Sequence, residues 1–190
     1  MINNTGEYFQ DKYRVKTTRL SHWDYASEGL YYVTICTKDR ICCLCNIKDD
    51  RVYLSEIGKI VHEEWLETPI IRPDVLLDDF IIMPNHVHGI IKLPKNNDFD
   101  TQKRRDAQRR VSTREFGPLQ PKSLSAIINN FKGSVKRKCN QNDLAFFTWQ
   151  SRYYEHIIRD EDDLAHIKKY IANNPIKWSE DRNNPININV

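Results

Sequence analysis

Phe80-Ile81-Ile82-Met83-Pro84-Asn85-His86-Val87-His88-Gly89-Ile90-Ile91 decides how the chain is read. Two histidines one residue apart sit within β-branched residues, the composition of a strand. Side chains alternate faces along a strand, so His86 and His88 project to one side and Val87 to the other. Two imidazoles side by side on a rigid scaffold make half of a divalent-metal site. The same pattern suits two ordinary strand histidines, so the pair needs a partner elsewhere. Pro84 has no N–H to donate, and Pro84-Asn85 therefore marks a bulge, an edge or a tight turn just before His86.

The partner lies near the end of the chain. Asp160 is a helix N-cap candidate, and Glu161, Asp162 and Asp163 suit the positive end of the helix dipole. Leu164, Ile167 and Ile171 form an apolar stripe, and Pro175 ends the helix. Tyr170 and Asn174, four apart, stand one above the other beside that stripe. Imidazoles and an amide oxygen can hold Mg²⁺ or Mn²⁺ and leave positions open for phosphate oxygens. A phenol with a free pKa near ~10 is a weak nucleophile until such an ion and an aligned phosphate assist it. Tyr153 and Tyr154 are rivals, but they fall on an expected strand with no amide one turn away. His156 reads as a hydrogen-bonding residue of the sheet and His166 as a surface histidine.

Leu30 to Thr37 is a strand by its aromatic and β-branched content. Arg51 to Leu54 is a short strand. Ser55 then caps a helix carrying Ile57, Ile60, Val61 and Trp65 to about Thr68, with His62, Glu63 and Glu64 facing outward. His62-Glu63 lacks the second histidine of a zinc-binding helix, since Leu66 stands there. A further helix starts at Ser123 with the stripe Leu124, Ile127, Ile128, Phe131 and Val135. Residues 146–159 read as strand, turn, strand. Their aromatics and cations suit either stacking on unpaired bases or packing in a sheet core.

The 190 residues fit one domain able to bury a core. No apolar run matches a membrane span, and the first residues hold no signal core. Of five cysteines, four crowd into Cys36, Cys42, Cys43 and Cys45, with Cys139 apart. An odd number so placed suggests neither a disulfide framework nor a complete zinc site, and a reducing cytoplasm is the expected setting. Charge is unevenly spread. Residues 95–138 hold twelve basic and four acidic side chains, a net +8 against −5 for the rest. That asymmetry suits a polyanion, although a solvated basic loop would look the same. Arg104, Arg105, Arg109 and Arg110 in the aperiodic stretch 95–121, Lys132, Lys136 and Arg137 on the following helix, and Arg152 and Arg159 beyond it are the candidate phosphate contacts.

Four segments in order resemble the HUH single-tyrosine transposases of the IS200-like type, and among them the REP-associated tyrosine transposases. They are Trp23-Asp24-Tyr25 before Tyr31 to Thr37, Met83 to His88, Trp149 to Arg159, and Tyr170-Ile171-Ala172-Asn173-Asn174-Pro175. The resemblance implies an α+β fold, a central antiparallel ferredoxin-like sheet with flanking helices. It makes His86, His88 and Asn174 the ligands of Mg²⁺ or Mn²⁺, and Tyr170 the nucleophile. The implied activity is nicking of single-stranded DNA beside hairpin repeats through a 5′-phosphotyrosine link, and later strand transfer. Asparagine at 174, where insertion-sequence members carry glutamine, fits the REP-associated branch. A catalytic domain over 19–180 follows, with an arm at 1–18, a basic insertion at 95–121 and a tail at 181–190. A DNA partner would place the protein with the nucleoid, as a monomer or a homodimer. Two other classes remain open: a single-strand or hairpin-binding module without catalysis, and a hydrolase that forms no covalent adduct.

Overall fold

The computed structural model describes residues 25–94 and 122–187. The expected arm and basic insertion lie outside these residues, and with them Arg104, Arg105, Arg109 and Arg110. In chain order come β1 (Gly29–Cys36), the hairpin β2 (Cys45–Lys48) and β3 (Arg51–Leu54), α1 (Glu56–Ile71), β4 (Leu76–Met83), β5 (His86–Leu93), α2 (Leu124–Gln141), β6 (Tyr154–Ile158) and α3 (Glu161–Asn173). The main sheet runs β4-β5-β1-β6, every neighbouring pair antiparallel. This is the ferredoxin-like βαββαβ plan with a β-hairpin added after β1. Among the described residues no helix is long and apolar enough to cross a membrane.

Each helix starts where a side-chain cap permits it. The Ser55 hydroxyl accepts from Gly58 N at 3.0 Å, Ser123 from Ala126 N at 3.3 Å, and Asp160 from Asp163 N at 2.8 Å. Strand alternation then sorts the sheet into two faces. Tyr31, Val33, Ile35, Val87 and Ile91 face α1 and α2, where Trp65, Ile127 and Phe131 close the main core. Gly89 is what lets Trp65 lie flat on β5, because a Cβ there would run into the indole ring. On the opposite face Tyr32, Ile90 and Ile158 pack against Ile171 of α3, with Leu164 and Ile167 partly buried beside them. A Lys168–Asp78 ion pair of 2.6 Å ties α3 to the irregular middle of β4.

Several expectations change here. The run through Met83 and His86 is two strands and not one, and Pro84-Asn85 is the tight turn among the expected alternatives, its carbonyls satisfied from outside the hairpin. Pro84 O accepts from Cys43 N and Leu44 N, and Asn85 O from Thr37 N, each at 2.9 Å. Residues 146–153 form no strand; a lone bridge joins Trp149 to Thr37, and Phe147 and Trp149 are core residues. Glu64 turns inward and meets Lys138 of α2 at 2.6 Å, because its position on α1 faces the other helix. Helix α1 also continues past Thr68 to Ile71.

Candidate metal and nucleophile site

The Pro84-Asn85 turn sets the first imidazole. Asn85 Nδ2 donates to Arg40 O at 3.0 Å and Asn183 O at 2.7 Å, so the other amide atom is the acceptor. That oxygen lies 2.8 Å from His86 Nδ1, which must then carry the proton. The lone pair of His86 is left on Nε2, facing His88 Nε2 at 2.9 Å. His88 is held from behind, its Nδ1 lying 2.7 Å from the Tyr32 hydroxyl and 2.9 Å from that of Thr34. Register explains the contact, for Thr34 of β1 stands directly opposite His88. Burial pushes both imidazoles well below their usual pKa, and the nearby Arg182 acts in the same direction. Both rings are therefore neutral at neutral pH, the form that binds a metal.

Helix α3 brings the phenol. The Tyr170 ring centroid is 5.3 Å from that of His88 and 6.4 Å from that of Tyr32, all within one chain. Burial and then the Asp181 carboxylate raise the Tyr170 pKa, while a hydrogen bond with Asn174 lowers it. Asn174 is buried one turn further on, and its Oδ1 has no hydrogen-bond partner among the described residues. Asp181 completes the group, its carboxylate lying with the two imidazoles so that one ligand atom from each falls within 4.8 Å of the others. Among the described residues this is the one such cluster of histidine, cysteine and acidic side chains, so the cysteines build none.

These groups fit a divalent cation. Cis ligands of an octahedral ion with bonds of about 2.1 Å stand about 3 Å apart, near the spacing of the two Nε2 atoms. A buried amide oxygen without a donor and an adjacent carboxylate supply the hard ligands that Mg²⁺ or Mn²⁺ prefer. Asp181 was not visible in the sequence. It lies beyond the helix and beyond Pro175, with no motif spacing to mark it. Residues 181–187 reach the site by folding under the β4–β5 turn, with Asp181, Asn183 and Asn184 buried.

The remaining candidates scatter. Lys132 is buried, its Nζ donating to Gln150 O at 2.7 Å and Arg152 O at 3.0 Å, so it braces the chain before β6 instead of offering a charge to solvent. Lys136 Nζ is similarly engaged with Ala145 O and Phe147 O. Arg137, Arg152 and Arg159 are exposed. Tyr153 sits on the α1–α2 side of the sheet with its hydroxyl 3.3 Å from Ser125 Oγ, away from the imidazoles. Tyr154 instead opens into a cleft of about 750 Å³ that it shares with Tyr170, Lys169, Lys177 and Arg182. His156 bonds across to α3, 2.8 Å from Asp163, and not within the sheet.

No family model matches the chain. An uncharacterized protein of Haemophilus influenzae is 35% identical over 178 residues, 94% of this chain and 97% of that protein. A putative REP-associated tyrosine transposase of the same species is 28% identical over 154 residues, 81% of this chain and 74% of that one. Among solved structures, a REP-associated tyrosine transposase bound to a REP hairpin superposes with a TM-score of 0.57 at 20% identity, covering 85% of this chain and 74% of that one. The two share a mixed α/β fold, a four-stranded antiparallel sheet flanked by helices. The chain is thus a near full-length relative of the uncharacterized Haemophilus protein, and it is similar in sequence and in fold to REP-associated tyrosine transposases.

Proposed function

We propose that this protein nicks and rejoins single-stranded DNA beside hairpin-forming repeats, with Tyr170 as the nucleophile. The observation that carries the reading is the meeting of Tyr170 with His88, His86, Asn174 and Asp181 inside one chain. His86 and His88, with Asn174 or Asp181, would hold Mg²⁺ or Mn²⁺, which when bound neutralises phosphate charge and polarises the phosphodiester. Tyr170 Oη attacks phosphorus, the bond to the 3′ oxygen breaks, and the products are a 5′-phosphotyrosine and a free 3′-hydroxyl. The phenolic proton passes to the Asp181 carboxylate, and the departing 3′ oxygen takes up a proton from solvent. Reversal by another 3′-hydroxyl releases Tyr170 and joins strands. The REP hairpin on the related structure supports a hairpin partner. A site complete in one chain makes a monomer sufficient.

The test is incubation with single-stranded hairpin DNA from the flanks of its own gene, with Mn²⁺ or with a chelator, followed by a denaturing gel. A covalent adduct is expected with Mn²⁺ only, and Tyr170→Phe should bind the DNA but form none. An adduct that survives Tyr170→Phe overturns the assignment. Cleavage without an adduct would point to a hydrolase, and binding without cleavage to a simple binding module.

A further inference from the structure

The cleft beside Tyr170 contains an aromatic side chain that neither the fold nor the proposed chemistry uses. On the site face of β6, Ile158 is buried, but Tyr154 remains 44% exposed on an edge strand. It meets Tyr32 in a T-shaped arrangement, at 6.5 Å between centroids, and is not stacked on it. The Arg182 guanidinium carbon stands 6.0 Å from the centre of that ring. Lys169 and Lys177 line the same cleft. Of the acidic groups there, Asp163 is occupied by His156 and Asp181 faces the imidazoles, leaving Glu180 against three cations. A half-exposed aromatic ring with a guanidinium beside it matches the two halves of a nucleotide, base and phosphate. Of the other aromatics in 146–159, Phe147 and Trp149 are in the core and unable to serve a single strand.

We propose that Tyr154 is the stacking surface for one unpaired base next to the phosphate presented to Tyr170, with Arg182 contacting that nucleotide's phosphate. The inference rests on the single-strand reading above, but its test needs no covalent step. The full-length protein, in chelator, is titrated into a fluorescent short oligothymidylate and into the same backbone with every base removed. The native chain should prefer the strand that has bases. Tyr154→Ala should weaken oligothymidylate binding by about 5- to 100-fold and the abasic strand by less than about twofold, as loss of one stacked base requires. Tyr154→Phe should retain the preference, which also controls for folding. Phe146→Ala, removing a 71% exposed ring outside the cleft, should leave it intact. Lys177→Ala should weaken both strands alike, as a phosphate contact does.

The proposal is overturned if the native chain shows no preference, or if Tyr154→Ala moves both strands equally or neither. It is equally overturned if Phe146→Ala abolishes the preference. An intact preference with no Tyr170 adduct would sink only the nicking reading, and an adduct without the preference only this one.

Discussion

The two faces of the sheet are built on different principles. Among the described residues, twenty-one buried side chains make one continuous apolar core toward α1 and α2, and toward α3 only Tyr32, Ile90, Ile158 and Ile171 are buried apolar contacts. At about 1.5–3 kcal/mol for each fully buried large apolar side chain, the first face carries most of the stability. The second holds buried Thr34, Asn85, His86, His88, Asn174 and Asp181, polar groups that cost stability wherever a partner is missing, as at Asn174 Oδ1. A chemically useful site is thus supported from the back of its own sheet. Its tyrosine rides on a helix held by a short apolar stripe, the Lys168–Asp78 ion pair and the His156–Asp163 hydrogen bond.

That division is most easily broken at Trp65. Trp65→Ala removes the largest fully buried ring on the helix face and should cost about 3–5 kcal/mol in urea unfolding. Ile171→Ala, at the thin face, should cost nearer the low end of such truncations, about 2 kcal/mol. Equal losses at the two positions would contradict the asymmetry. A gentler probe is Gly89→Ala, which pushes a methyl group from β5 into the same indole and should cost about 1–3 kcal/mol. Because the neighbouring His88 points the other way, the adduct-forming activity of the folded fraction should be unchanged. Smaller again is Tyr32→Phe, which keeps the ring and removes the hydroxyl behind His88. If His88 ligates the proposed ion, loss of this outer partner should weaken Mn²⁺ binding about tenfold by electron paramagnetic resonance titration. Unfolding should move little, whereas a purely structural hydroxyl would show the reverse pattern.

Local pattern was enough for much of this. Alternation around His86-Val87-His88 placed the imidazoles together, three caps placed the helices, and Tyr170 and Asn174 four apart placed phenol and amide on one face. What local pattern misses is set by distant partners. Glu64 looks like a solvent residue until Lys138 arrives from α2, and Lys132 like a phosphate contact until two carbonyls from 150–152 surround it. The aromatics at 147 and 149 mimic a strand because a core needs the same side chains without needing a ladder. Asp181 depends on the chain's return beneath the turn, fixed by the amide of Asn85 reaching Asn183 nearly a hundred residues away.

The smallest expected effect concerns the link between β6 and the start of α3. His156 Nε2 and Asp163 Oδ2 are 2.8 Å apart at a partly exposed position. The hydrogen bond from His156 holds the Asp163 carboxyl below the usual carboxylate range. With its pKa lowered by folding, Asp163 binds a proton more readily in the unfolded chain than in the native one. Its contribution is therefore present above the unfolded value of about 4 and is lost as pH falls through the lower native value. Exposure limits its size to below about 1 kcal/mol. Unfolding followed from about pH 6 to about pH 3 should show this loss in the native chain and a shallower acid slope in Asp163→Asn. Identical slopes would mean that the pair adds nothing to the anchoring of α3, leaving Lys168–Asp78 and the Ile171 stripe to hold the helix that carries Tyr170.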